Sequence, residues 1–283
     1  MSDDVIALLN QSLSKLKDFQ LATVHQVMSN FVDSRHSGRV LVADEVGLGK
    51  TVVAKGVIAE MLKARLNQLP FKPLRVTYIC SNLTLANENI RKLAVFDGAE
   101  HEKYVSEPSF SRLTELAIKD SQNDNDSSKL LEVCSLTPST SFTLTQGDGT
   151  HWERFIIYQL LCEHESLSKY KSKLSQLFRG YCGSETWQSN QYWFDKNKTL
   201  DKCVLHSFHQ QLNAQSDYIE SDWEIEQDSS WLSIIEMVCT DQVKCEHPNR
   251  LRSYLRRVLA RCCVQNLKSD LFILDEFQSL FFV

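Results

Sequence analysis

Two glycines, a lysine and a threonine stand in close order in Ala43-Asp-Glu-Val-Gly-Leu-Gly-Lys-Thr51. Gly47 and Gly49 would let the backbone curl so that successive amides face an anion, and a helix beginning at the lysine would add its positive end to the same place. Lys50 would then reach the β and γ phosphates of a nucleotide, and the Thr51 hydroxyl would ligate magnesium. Val46, Leu48 and Val52 complete the nucleotide-binding positions of this loop. A strict phosphate-binding loop has glycine where this chain has Asp44, so the match is to a variant form.

A second acid-bearing motif lies near the other end of the sequence. Leu271-Phe-Ile-Leu274 is an apolar run that ends in Asp275 and Glu276, followed by Phe277 and Gln278. Paired acids at the end of a buried strand suit metal-assisted phosphoryl chemistry. Asp275 would hold magnesium through water, and Glu276 would act as general base on the attacking water. The two motifs imply ATP and Mg2+ as cofactors, with Lys50 and Glu276 as the catalytic pair.

The elements that must position these residues are legible in the periodicity. Arg39-Val-Leu-Val-Ala43 reads as a short buried strand before the glycine loop, and Val53, Val57, Ile58, Met61 and Leu62 continue after it at helical spacing. Leu74-Arg-Val-Thr-Tyr-Ile-Cys80 reads as a second strand running into a helix that ends near Leu93, and Leu131-Glu-Val-Cys-Ser-Leu136 as a third. Strands alternating with helices predict an α/β fold with a parallel sheet and its ligand at the C-terminal strand ends. Two helices are expected ahead of this core, from Val5, Leu8, Leu9, Leu13 and Leu16 and from Val24, Val27, Met28 and Phe31. The expected organisation is N-terminal helices over 1–36, a nucleotide-binding core over 37–150, a mainly helical insertion over 151–268, and a strand over 269–283 that completes the core. The stretch 120–128 is too polar to bury anything and reads as a surface loop.

At 283 residues the chain exceeds a typical single domain, and a net charge of -5 excludes a general electrostatic pull toward nucleic acid, so any such surface must be local. Nine cysteines, an odd number that includes the adjacent Cys262 and Cys263, fit a reducing, cytoplasmic setting better than a disulfide framework. No stretch reaches membrane-spanning length.

The glycine loop together with the Asp-Glu-Phe-Gln box resembles the SNF2-like branch of the superfamily 2 helicases, related to the bacterial DEAD/DEAH-box enzymes. Phe19-Gln-Leu-Ala-Thr-Val-His-Gln-Val27 is similar to the glutamine motif of that family, which implies that Gln20 reads the adenine edge while Phe19 packs nearby. The resemblance extends to Val76-Thr-Tyr-Ile-Cys-Ser-Asn82 and to Ser135-Leu-Thr-Pro-Ser-Thr-Ser-Phe142. It implies a RecA-like lobe, ATP hydrolysis, and contacts from Ser81, Asn82 and Thr137 to the backbone of DNA or RNA. Ser81 and Asn82 equally suit capping of the following helix. A motor of this family needs a second RecA-like lobe carrying an arginine finger, so the sequence reads as a first lobe with weak hydrolysis by itself, completed by a further segment or a separate chain. A nucleotide-dependent binding module without motor activity is the alternative.

Within the insertion, Leu251, Tyr254, Leu255, Val258, Leu259 and Cys262 form a helical stripe, with Arg250, Arg252, Arg256, Arg257 and Arg261 assigned to the opposite face. These arginines could meet a nucleic-acid backbone or pair with the six acids between Asp217 and Asp228. Cys239, Cys245 and His247, with Cys262 or Cys263, offer zinc-type ligands at a spacing that fits no common finger. The tryptophans at 152, 187, 193, 223 and 231 could stack bases but suit a helical core, and His206 and His209 read as structural.

Overall fold

The computed structural model describes residues 2–33, 35, 37–43, 48–80, 83–107, 113–120, 129–137, 147–214, 229–245 and 247–275. The chain forms two compact units. Unit 1 takes residues 1–109, 126–138 and 268–283, and unit 2 takes 110–125 and 139–267.

Unit 1 is an α/β layer built on a four-stranded parallel sheet. Helices α1 (Ser2–Ser14), α2 (Asp18–Val32) and α3 (Lys50–Leu66) lead to β1 (Leu74–Cys80). Then come α4 (Leu83–Leu93), α5 (Gly98–Tyr104) and β2 (Val105–Ser106), and the unit's remaining strands are β4 (Leu131–Leu136) and β6 (Leu271–Asp275). The spatial order is β2-β4-β1-β6. β1 is central, with Leu74 opposite Leu131 on one side and Val76 opposite Leu271 on the other. Alternation along β1 sends Leu74, Val76, Tyr78 and Cys80 to one face, where they join the core with Val5, Leu9, Val24, Val27, Val53, Val57 and Leu62. Gly56 lets α2 and α3 close on each other, since a Cβ there would stand 2.6 Å from Val24 Cγ2.

The expected strand at 39–43 is not part of the sheet. Its alternation is present, for Val40 and Val42 are half-buried while Leu41 is 88% exposed, but among the described residues no ladder joins it to a neighbour. An apolar run reports a preference for burial, whereas membership of a sheet requires a partner edge in register. Asp44 to Gly47, which follow it, lie outside the described residues.

Unit 2 is mainly helical. It contains a 3-10 turn at Leu113–Ala117, β3 (Ile118–Asp120), α6 (His151–Cys162), α7 (Lys171–Arg179) and α8 (Ser184–Asn197). It continues with β5 (Lys198–Leu200), α9 (Lys202–Leu212), α10 (Trp231–Cys239) and α11 (Pro248–Gln265). The division differs from the boundaries read in the sequence, because β3 pairs antiparallel with β5 and so carries residues 110–125 into this unit. α6 is buried almost all round, through Phe155, Ile156, Ile157, Leu160 and Leu161, as the central helix of a bundle must be.

The arginines of α11 do not form the single outward face expected. Arg252 and Arg256 are each 2% exposed. Arg256 Nε donates to Glu153 Oε1 at 2.9 Å, and Arg252 Nε donates to Asp148 Oδ2 at 2.8 Å. Glu153, itself 1% exposed, also accepts the Thr150 amide at 2.9 Å through Oε2, closing the capping box of α6. Among the described residues the acids that meet these two arginines are therefore Asp148 and Glu153; the stretch 217–228 lies outside them. Arg257 stacks on Tyr254 at 3.9 Å, and Arg250 and Arg261 are exposed.

Among the described residues no group of three or more metal-type side chains comes together. Burial pushes the Cys239 and Cys262 thiols up to about 11, away from the thiolate that zinc takes. Trp187 and Trp231 are core residues, Trp193 is half-exposed with its edge on Trp152, and Trp223 lies outside the described residues. No helix among the described residues is long and apolar enough to cross a membrane.

Two predictions arise from unit 2. Replacing Arg256 by Met strands the buried Glu153 carboxylate and should lower stability by about 3–5 kcal/mol in chemical unfolding, while the double change Glu153→Leu/Arg256→Met should recover much of that loss. His164 packs edge-on against His209, with ring centroids 4.8 Å apart, and its Nδ1 accepts the Ser166 amide at 3.3 Å. Burial, then the His209 ring, holds the His164 imidazole below its ordinary value of 6.5. The neutral ring therefore stabilises the fold above that pH, and this contribution is lost as pH falls below it, where the unfolded chain takes up the proton first. Thermal melting should show a decline from pH 6.5 downward that His164→Asn makes shallower.

Candidate functional site

The site is assembled at the start of α3, where Gly49 is the N-cap with φ 87° and ψ 40°. Glycine adopts this left-handed conformation without the steric cost that a Cβ brings. The Gly49 carbonyl accepts the first helical bonds, from the Val52 and Val53 amides at 2.8 and 3.0 Å. Amides of a first helical turn point out of the helix toward the loop, which is the geometry an anion needs. Lys50 and Thr51 open the helix there and are both partly buried.

Gln20 anchors this turn from α2. Its Oε1 accepts the Lys17 amide at 3.1 Å, capping α2, and its Nε2 donates to the Leu48 carbonyl at 3.1 Å. It is 8% exposed. A Cβ at Gly49 would stand 2.6 Å from Gln20 Nε2, so any larger residue there would push the Gln20 amide from its place, on top of the strain of its φ. Both ends of the Gln20 amide are thus used inside the chain, on the helix cap and on the loop. Phe19, its neighbour, is 46% exposed.

The acid motif approaches from β6. Asp275 ends that strand, and its Oδ2 accepts the Tyr78 hydroxyl at 2.6 Å and the Asn89 amide at 3.2 Å. Asn89 Nδ2 also donates to the Tyr78 oxygen at 3.0 Å. Burial, followed by the hydrogen bond to Asp275, pushes the Tyr78 phenol far above the usual tyrosine range, so it stays protonated and remains a donor. A cavity of about 260 Å³ is lined by Lys50 and Thr51 at the start of α3, by Tyr78 within β1 and by Asp275 at the end of β6. Val40, Val42, Val53 and Ile273 give it apolar walls.

The lysine, the hydroxyl and the first acid thus share one cavity although they lie more than 200 residues apart in sequence. Val46, Gly47, Glu276, Ser81 and Asn82 lie outside the described residues. Thr137 directly follows β4 and is buried. Tyr78 and Asn89 escaped the sequence reading. The signal available was a tyrosine on the buried face of an apolar strand, whose hydroxyl must find a partner. The donor set is one that magnesium accepts, a carboxylate and a hydroxyl with room for water, and a cationic lysine lines the same cavity. Comparison with protein-family models, curated proteins and solved structures finds no match to this chain.

Gly49→Ala should speed hydrogen exchange of this turn and lower the melting temperature, through left-handed strain. An alanine variant that melts and exchanges like the parent would show that the Gly49 conformation is dispensable.

Proposed function

We propose that unit 1 binds ATP with magnesium and is the first, RecA-like motor lobe of an ATP-dependent helicase or translocase of the SNF2-like superfamily 2 kind. The observation that supports this best is the single cavity gathering Lys50 and Thr51 from the start of α3 and Asp275 from the end of β6. A lysine and a hydroxyl at a helix start that share a cavity with a carboxylate at a strand end support this reading, because phosphoryl transfer needs phosphate-binding and metal-holding groups together.

In this reading Lys50 neutralises charge on the β and γ phosphates, and Thr51 and Asp275 hold the magnesium, directly and through water. Magnesium held by these residues would supply positive charge against the phosphates during transfer. Glu276 orients and deprotonates the attacking water. Gln20 keeps the Leu48–Gly49 turn in the conformation that faces the phosphates, through the bond from its Nε2 to the Leu48 carbonyl. An arginine finger from a second lobe contributes about 10³ to 10⁵ in rate in related enzymes, so turnover by this lobe alone is expected to be slow. The partner of the motor is DNA or RNA, held mainly by its backbone, with Ser81, Asn82 and Thr137 as the proposed contacts.

ATP turnover measured with and without single-stranded DNA, double-stranded DNA and RNA tests this, with Lys50→Ala and Glu276→Gln alongside. Stimulation by a polynucleotide that both substitutions abolish is the expected result. ATP binding that no polynucleotide accelerates would make the lobe a nucleotide-dependent binding module instead, and no ATP binding at all would sink both readings.

A further inference from the structure

We propose that Tyr78 and Asn89 are positioning residues that set the magnesium affinity of the site by fixing the Asp275 carboxylate; this rests on the function proposed above. Three side chains from three elements meet here: Tyr78 from the central strand, Asn89 from α4 and Asp275 from β6. Their contacts of 2.6, 3.0 and 3.2 Å close a triangle.

Both donors converge on the same oxygen, Oδ2. A carboxylate held by one oxygen loses its rotation about the Cβ–Cγ bond, which leaves Oδ1 with one direction in which to meet a metal or its water. Without these donors the group turns freely, and the ordering must be supplied when the ion binds. Partners that orient a metal-holding carboxylate in this way are commonly worth 10- to 100-fold in metal affinity. Tyr78 is suited to the task because its ring is packed in the core at 1% exposure, so its hydroxyl has one place to go. Asn89 then orients the phenol and the carboxylate together, since its amide reaches both.

The experiment follows a fluorescent ATP analogue bound to the full chain while magnesium is titrated, with a parallel measurement in EDTA and a thermal melt for every variant. Tyr78→Phe keeps the ring and deletes the donor; Asn89→Ala removes the second donor from a partly exposed site. In both, the magnesium midpoint is expected to rise roughly 10-fold or more, with metal-free nucleotide binding retained. Asp275→Asn should raise it at least as far. A midpoint that stays within about twofold of the parent in both variants overturns the proposal, as does a rise matched by equal loss of metal-free binding and of melting temperature, which marks a purely structural role. If the parent chain binds the analogue without any magnesium dependence, the proposed function falls and this inference with it.

Discussion

Unit 1 depends on β1 being bonded along both edges. A strand flanked on both sides by parallel neighbours satisfies its backbone completely and can bury a whole face, and β1 does so through Leu74, Val76, Tyr78 and Cys80. The same register sets where the Asp275 carboxylate lies. Cys80 stands opposite Asp275, so the C-terminal end of β6 arrives beside the end of β1, and Tyr78 reaches the carboxylate from the adjacent strand. A shift of one residue in that pairing would turn Asp275 to the other face of the sheet and leave the Tyr78 hydroxyl buried without an acceptor.

The loop that faces the strand ends is held by a different kind of contact. Gln20 belongs to α2, yet it spends one amide atom on its own helix cap and the other on the Leu48 carbonyl. The position of the glycine turn is thereby tied to the packing of α2 on α3, which Gly56 permits by its lack of a side chain. Helix packing, helix capping and loop conformation are thus coupled through one buried amide. Unit 2 uses charge for the same purpose. Glu153 serves at once as the N3 residue of a capping box and as the partner of Arg256, so the start of α6 and the middle of α11 are joined by groups that water hardly reaches.

Much of this was legible before any coordinates. The strands at 74–80 and 131–136 and the helices α1 to α4 follow from local spacing, because helical and extended backbones impose periods of 3.6 and 2 on whatever they bury. The chain from 39 to 43 has the right alternation and yet stays outside the sheet, since alternation measures burial and carries no information about a partner edge. Arg252 and Arg256 misled for a related reason. Arginine counts as polar in any periodicity, and the acids that draw these two inside lie 104 and 103 residues away.

By itself the sequence determined the α/β alternation, the candidate phosphate loop and the acid-ended strand, all properties of contiguous residues acting through backbone geometry. Only the tertiary structure decided that Lys50, Thr51 and Asp275 face one cavity, that Gln20 is committed to the loop, and that Tyr78 and Asn89 hold Asp275 across 197 and 186 residues. The physical reason is that a hydrogen bond or ion pair between distant residues depends on how elements pack in space, which no local pattern encodes, whereas the elements themselves arise from interactions a few residues apart.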